Sequence, residues 1–158
     1  MNPPLDLRWN AWSAAPLLLA CAAIATPYLS THGALLLGFA LHRSFGLICH
    51  QRPERSFWFF GAPVAVCARC LGIYAGATLG TLMRTSRAIA MRIVIAAAAI
   101  NVLDVVTELL RLHGNWMFVR FGLGLALGAA SGVLISSAVP SLRDSESVRR
   151  PPSAEALG

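Results

Sequence analysis

Cys49 and His50 are adjacent, and Cys67 and Cys70 enclose only Ala68 and Arg69. Three sulfurs and one imidazole make up the donor set of closed zinc sites, and a two-residue gap lets both sulfurs of a C-x-x-C pair reach one ion. The same pair suits thiol-disulfide exchange, with Cys67 and Cys70 cycling and Cys49 resolving a mixed disulfide. Adjacent side chains diverge on a regular helix, so Cys49 and His50 can share a metal only if a helix ends there. His42 offers a second nitrogen: His42, Phe45 and Cys49 fall at i, i+3 and i+7, on one stripe of a helix. Cys67, Cys70 and Tyr74 form an equivalent stripe at the start of the next helix, whose N-terminus would favour thiolate. A c-type haem would need histidine directly after the second cysteine, where Leu71 stands. Cys21, alone in an apolar run, reads as a small packing residue.

A second constellation is ionic. Asn101, Asp104, Glu108 and Arg111 recur at helical spacing in an otherwise apolar run. An ionisable residue near the centre of a membrane helix costs roughly 2.5 to 3.5 kcal/mol, so it faces the bundle and needs a partner. Arg120 is a natural counter-ion for Asp104 or Glu108. In a catalytic version, Asp104 or Glu108 acts as general base, and Arg120 or Arg55 holds an anionic group such as a lipid phosphate. A structural ion pair would use the same residues. His113, Asn115 and Trp116 form the adjoining turn, and His113 reads as a loop histidine.

The elements that must position these groups are membrane helices. The chain of 158 residues is 56% hydrophobic and 13% charged, with mean hydropathy +0.63, well below the roughly 25% charge of soluble domains. Its net charge of +6 comes entirely from arginines scattered among apolar runs and tails, without the interleaved basic face of a nucleic-acid binder. Residues 12–29, 63–83, 91–112 and 117–139 read as crossings. Residues 34–48 would reach only ~22 Å as a helix, short of the ~30 Å hydrocarbon core, and are expected to be tilted, re-entrant or interfacial. Residues 51–61 form a polar connection ending in the aromatic run from Phe57 to Phe60. Gly72, Gly76 and Gly80 lie on one stripe, Gly124, Gly128 and Gly132 on another, and such stripes permit close helix contact in lipid. The two helices are expected to pack tightly, on each other or between copies of the chain.

Residues 1–11 read as a polar lead, 12–139 as one helical membrane domain and 140–158 as a disordered tail. Arg84, Arg87 and Arg92, with Arg143, Arg149 and Arg150, put both the connection after the second crossing and the C-terminus in the cytoplasm. The cysteine stretch then lies on the extracytoplasmic side of a bacterial inner membrane.

The string from Cys49 to Phe57, CHQRPERSF, followed by Val66 to Gly76, VCARCLGIYAG, resembles the signature of a membrane family, domain of unknown function 2085 (DUF2085). The resemblance extends over about residues 42–128, since Asp104 and Arg120 before a glycine-rich helix are similar to the family's later half. Leu71 departs from it, standing where a polar residue such as Thr is usual. The resemblance implies a polytopic prokaryotic membrane protein with a Cys/His and charged-residue cluster, and it implies no activity.

Together these readings give an all-α integral membrane bundle of four transmembrane helices plus one short re-entrant or interfacial helix. It is expected to hold a transition metal, zinc first, at one membrane face through Cys49, Cys67, Cys70 and His50 or His42. A metal-dependent enzyme acting on a lipid-like or anionic substrate is one extension. The alternatives are a membrane thiol-disulfide oxidoreductase and a non-enzymatic, metal-stapled scaffold.

Overall fold

A computed structural model describes residues 11–83, 85–112, 114 and 116–149, with side chains between 13 and 138. The polar lead through residue 10, Arg84, His113, Asn115 and the tail from residue 150 lie outside the described residues.

Among the described residues five α-helices follow the apolar runs: α1 (Ala11–Thr31), α2 (Leu35–Phe45), α3 (Ala68–Thr81), α4 (Arg87–Leu109) and α5 (Met117–Arg149). Three are long and apolar enough to cross a membrane, over Ser13–Thr31, Arg87–Leu109 and Met117–Ala138. Their outer faces are apolar as well. Ile95, Val102 and Leu103 on α4 are all more than half exposed, which suits a lipid solvent and no aqueous one.

The expected fourth crossing differs. Instead of a helix from residue 63, the chain forms a small hairpin, β1 (Trp58–Phe59) with β2 (Ala62–Pro63), and α3 begins only at Ala68. Phe60 and Gly61 both have positive φ, 53° and 76°, as a two-residue type I′ hairpin turn requires. Gly61 meets that demand without a Cβ penalty. Pro63, which lacks an amide hydrogen, sits in this short strand. At 14 residues α3 is shorter than the spans above. Yet Gly72 touches Phe121, Ser136 Oγ donates to the Met83 carbonyl (2.6 Å) and Ser137 Oγ to that of Thr85 (2.9 Å). The segment thus runs parallel to α5 from Phe121 to Ser137, about sixteen residue steps or ~24 Å.

The seam between α3 and α5 is made by the two glycine stripes facing each other. A Cβ on Gly76 would meet the Leu125 carbonyl and the Ala129 nitrogen, and one on Gly128 the Ile73 carbonyl. Both stripes are therefore used within one chain. Antiparallel to this pair, α4 is tied in by Asn101, whose Nδ2 donates to the carbonyls of Ala97 (2.9 Å) and Leu123 (3.0 Å). Because α4 ends at Leu109 and Arg111 has φ 56°, Arg111 does not continue the face of Asn101, Asp104 and Glu108, contrary to expectation.

α2 folds back along α1. Gly38 lies against Ser30, and Phe45 joins Ala20 and Ala23 in one buried cluster. Its 11 residues reach only ~16 Å. The chain then returns, and Phe60 at the hairpin tip meets Tyr28 and His32 at the end of α1, with ring centroids 5.3 and 5.9 Å apart.

Candidate metal and anion centre

The return path is held by a proline. Pro27 in α1 carries no amide hydrogen, so the Ala23 carbonyl lacks its helical partner. The Ala65 N–H takes that place at 3.4 Å, and Val64, Ala65 and Val66 are buried against α1. Gln51, in a left-handed conformation with φ 50°, adds a clamp. Its Nε2 donates to the His42 carbonyl at 2.6 Å and to the Ala65 carbonyl at 2.7 Å, joining the end of α2 to the segment entering α3. These contacts bring the two halves of the cysteine motif together.

Cys67 is the N-cap of α3, and Cys70 stands three residues on, the spacing at which cap and third-position side chains meet. Cys49 follows the end of α2, its amide donating to the Phe45 carbonyl at 2.9 Å, and its sulfur accepts from the Cys67 amide at 3.2 Å. The three Sγ atoms lie within 4.8 Å of one another, and all are free thiols. The expected convergence of separated sulfurs is what the fold produces.

Neither imidazole belongs to that group of donor atoms. His50 is exposed on the wall of the adjoining cavity, and His42 contributes its backbone carbonyl to the Gln51 clamp.

Within the trio Cys49 is the thiol whose ionised form is favoured. The Cys67 and Cys70 thiols hydrogen-bond to it and the Cys67 and Gln51 amides help, holding it well below the usual thiol range against the opposing effect of burial. A lowered value means the charged form survives as pH falls. In metal-free protein, thiolate ultraviolet absorbance should persist far below pH ~8.5, the ordinary thiol midpoint, and Cys49→Ser should abolish that fraction. Titration of all thiols near the ordinary value would contradict it.

The thiols open onto a cavity of about 310 Å³ lined by Ile48, Cys49, His50, Arg52, Arg55, Cys67, Arg69, Cys70 and Arg120. The carboxylates expected as bases lie behind this wall. Asp104 pairs with Arg69, while Glu108 bridges Arg55 (2.7 Å) and Arg120, one oxygen to each. One face of α4 thus organises guanidiniums from the polar connection, α3 and α5. Arg120 was expected as a counter-ion and is one, with only 5% of its side chain exposed. The Nε atoms of Arg69 and Arg120 are buried without a hydrogen-bond partner.

Sequence reasoning missed Arg52, Arg69 and Gln51 as site residues. Arg69 had a signal, since it is the only charge in an apolar run and sits between two cysteines. Gln51 had none, because its role depends on two distant carbonyls.

A DUF2085 (predicted membrane protein) family model matches residues 49–134, a stretch that begins at the first cluster cysteine and contains Arg55, Asp104, Glu108 and Arg120. The chain belongs to the DUF2085 family. An uncharacterised protein of Methanocaldococcus jannaschii is 49% identical over 47 residues, covering 30% of this chain and 30% of that protein. A second, from Methanothermobacter thermautotrophicus, is 34% identical over 95 residues, or 57% of this chain and 86% of that protein. The match therefore spans under a third of the first relative's length, and both relatives are archaeal. No solved structure matches the chain. Every cavity-lining residue except Ile48 falls within the DUF2085 stretch.

Proposed function

We propose that this membrane protein holds a transition metal, zinc first, on Cys49, Cys67 and Cys70, with the fourth position facing the arginine-lined cavity. The observation that carries this reading is the grouping of three sulfurs from two segments within 4.8 Å. Three thiolates fit a soft or borderline ion, and three protein donors with one open place is the pattern of catalytic zinc sites. His50, on the cavity wall, is the candidate to close the site in a purely structural version.

In the open version the chain is a metal-dependent enzyme acting on a lipid-like or anionic molecule. Asp104 and Glu108 then act as positioning residues that aim the arginines, since each carboxylate is already engaged by guanidinium.

For topology we propose four crossings. α3 accompanies α5 over most of the membrane depth, and α2 is a re-entrant helix that enters and leaves on one face. The ends of the membrane domain then share the cytoplasmic side, as the arginines following α3 and α5 favour, and the thiols face outward.

Metal analysis of the purified protein tests the reading. About one zinc per chain is expected in the wild type, falling to background in Cys67→Ser and Cys70→Ser. Close thiols also favour one rival, disulfide exchange. Metal-free protein whose Cys67 and Cys70 titrate with a defined redox midpoint would overturn the metal reading in its favour.

A further inference from the structure

The cavity wall has a charge composition that the thiols do not explain. Four guanidiniums, from Arg52, Arg55, Arg69 and Arg120, line it, and among the described residues no carboxylate does. Two of these arginines are ordered by Glu108 and a third by Asp104, all from outside the wall. Four positive charges, three of them paired with these two carboxylates, leave an excess of two among the described residues. Burying Arg120 this deeply is costly unless its donors are used, yet its Nε, like that of Arg69, has no partner. Guanidinium forks present paired N–H groups that match the oxygens of a phosphoryl group, and such charge-assisted bonds are among the strongest available.

We propose that this cavity binds a phosphate-type oxyanion beside the thiol centre. The shared chemistry is a tetrahedral phosphoryl group bearing up to two negative charges, borne by a lipid headgroup or free in solution. Arg120 and Arg69 form its floor, and the exposed Arg52 sits at its mouth. This names the ligand class of the site proposed above and rests on that site being the functional centre, but it requires no metal.

The full-length protein is tested in phosphatidylcholine nanodiscs after chelator treatment, reading the rate at which iodoacetamide alkylates the cavity-lining thiols Cys49, Cys67 and Cys70. One arm adds inorganic phosphate, the other replaces part of the lipid with phosphatidic acid, and sodium chloride at matched ionic strength is the control. Occupancy well above half-saturation should slow alkylation about tenfold. Arg52→Gln, which touches none of the ion pairs described, should raise the concentration for half-protection about tenfold. Arg120→Lys retains a charge for Glu108 but loses the planar fork, and should weaken protection as well. Protection by phosphatidic acid alone assigns the ligand to a lipid, and protection by inorganic phosphate alone to a free anion. Either supports the proposal. No slowing beyond the chloride control, or protection unchanged in both variants, overturns it. Zinc content is measured separately on untreated protein, so loss of the metal reading leaves this one standing, and the reverse.

Discussion

Gly76→Leu should leave no folded protein in detergent. Overpacking against other side chains costs ~1–3 kcal/mol because they can turn aside. The neighbours here are the Leu125 carbonyl and the Ala129 nitrogen, the latter 2.8 Å from where a Cβ would stand. Backbone cannot rotate away, so the helices must separate and the seam from Gly72 to Gly132 opens with them. In lipid, close van der Waals contact across that seam is a main source of helix association, since lipid tails are as apolar as the side chains. Gly122→Leu is the control, because nothing lies within 4 Å of a Cβ at that position. It should stay within ~0.5 kcal/mol of wild type. Size-exclusion profiles and thermal melts of the two variants check this. Equal behaviour would show that the α3–α5 seam does not support the fold.

Glu108→Gln should be the most damaging change among the ionic residues. Its two carboxylate oxygens serve Arg55 and Arg120, and removing one partner of a buried pair costs ~3–5 kcal/mol because it strands the other charge. Arg120 is the stranded group, being almost wholly buried. Asp104→Asn should cost less, since its partner Arg69 is more exposed. The decisive measurement is the cycle with Arg120→Met. If the pair is coupled, Glu108→Gln in the Arg120→Met background loses far less than in the wild type. A coupling below ~0.5 kcal/mol would mean the two residues act independently.

Much of this was legible from residue type and spacing. The C-x-x-C pair, the lone Cys49 and the ionic face of α4 all announced themselves because polar or ligating groups are costly in an apolar run and need a reason. The glycine stripes were legible as close-packing faces. The start of α3 was not, since hydropathy is blind to the difference between a buried non-helical segment and a helix. Val64, Ala65 and Val66 are as apolar as any helical residue, and the Phe57 carbonyl, the carbonyl freed by Pro27 and the Gln51 clamp hold them outside the helix. Arg111 shows the converse error, a helical periodicity projected past the point where the helix ends at Leu109.

Composition and local pattern were enough to decide that the chain lives in a bilayer, how many apolar runs it has and which residues are chemically equipped. These depend on transfer free energies and on helical repeat, both properties of short stretches. Which groups meet was decided by the tertiary structure: Cys49 with Cys67 and Cys70, Arg69 with Asp104, and Glu108 with two arginines at once. Such pairings arise where a folded-back α2, a hairpin and three helix ends converge, and no local property of the chain encodes the distances between segments that far apart in sequence.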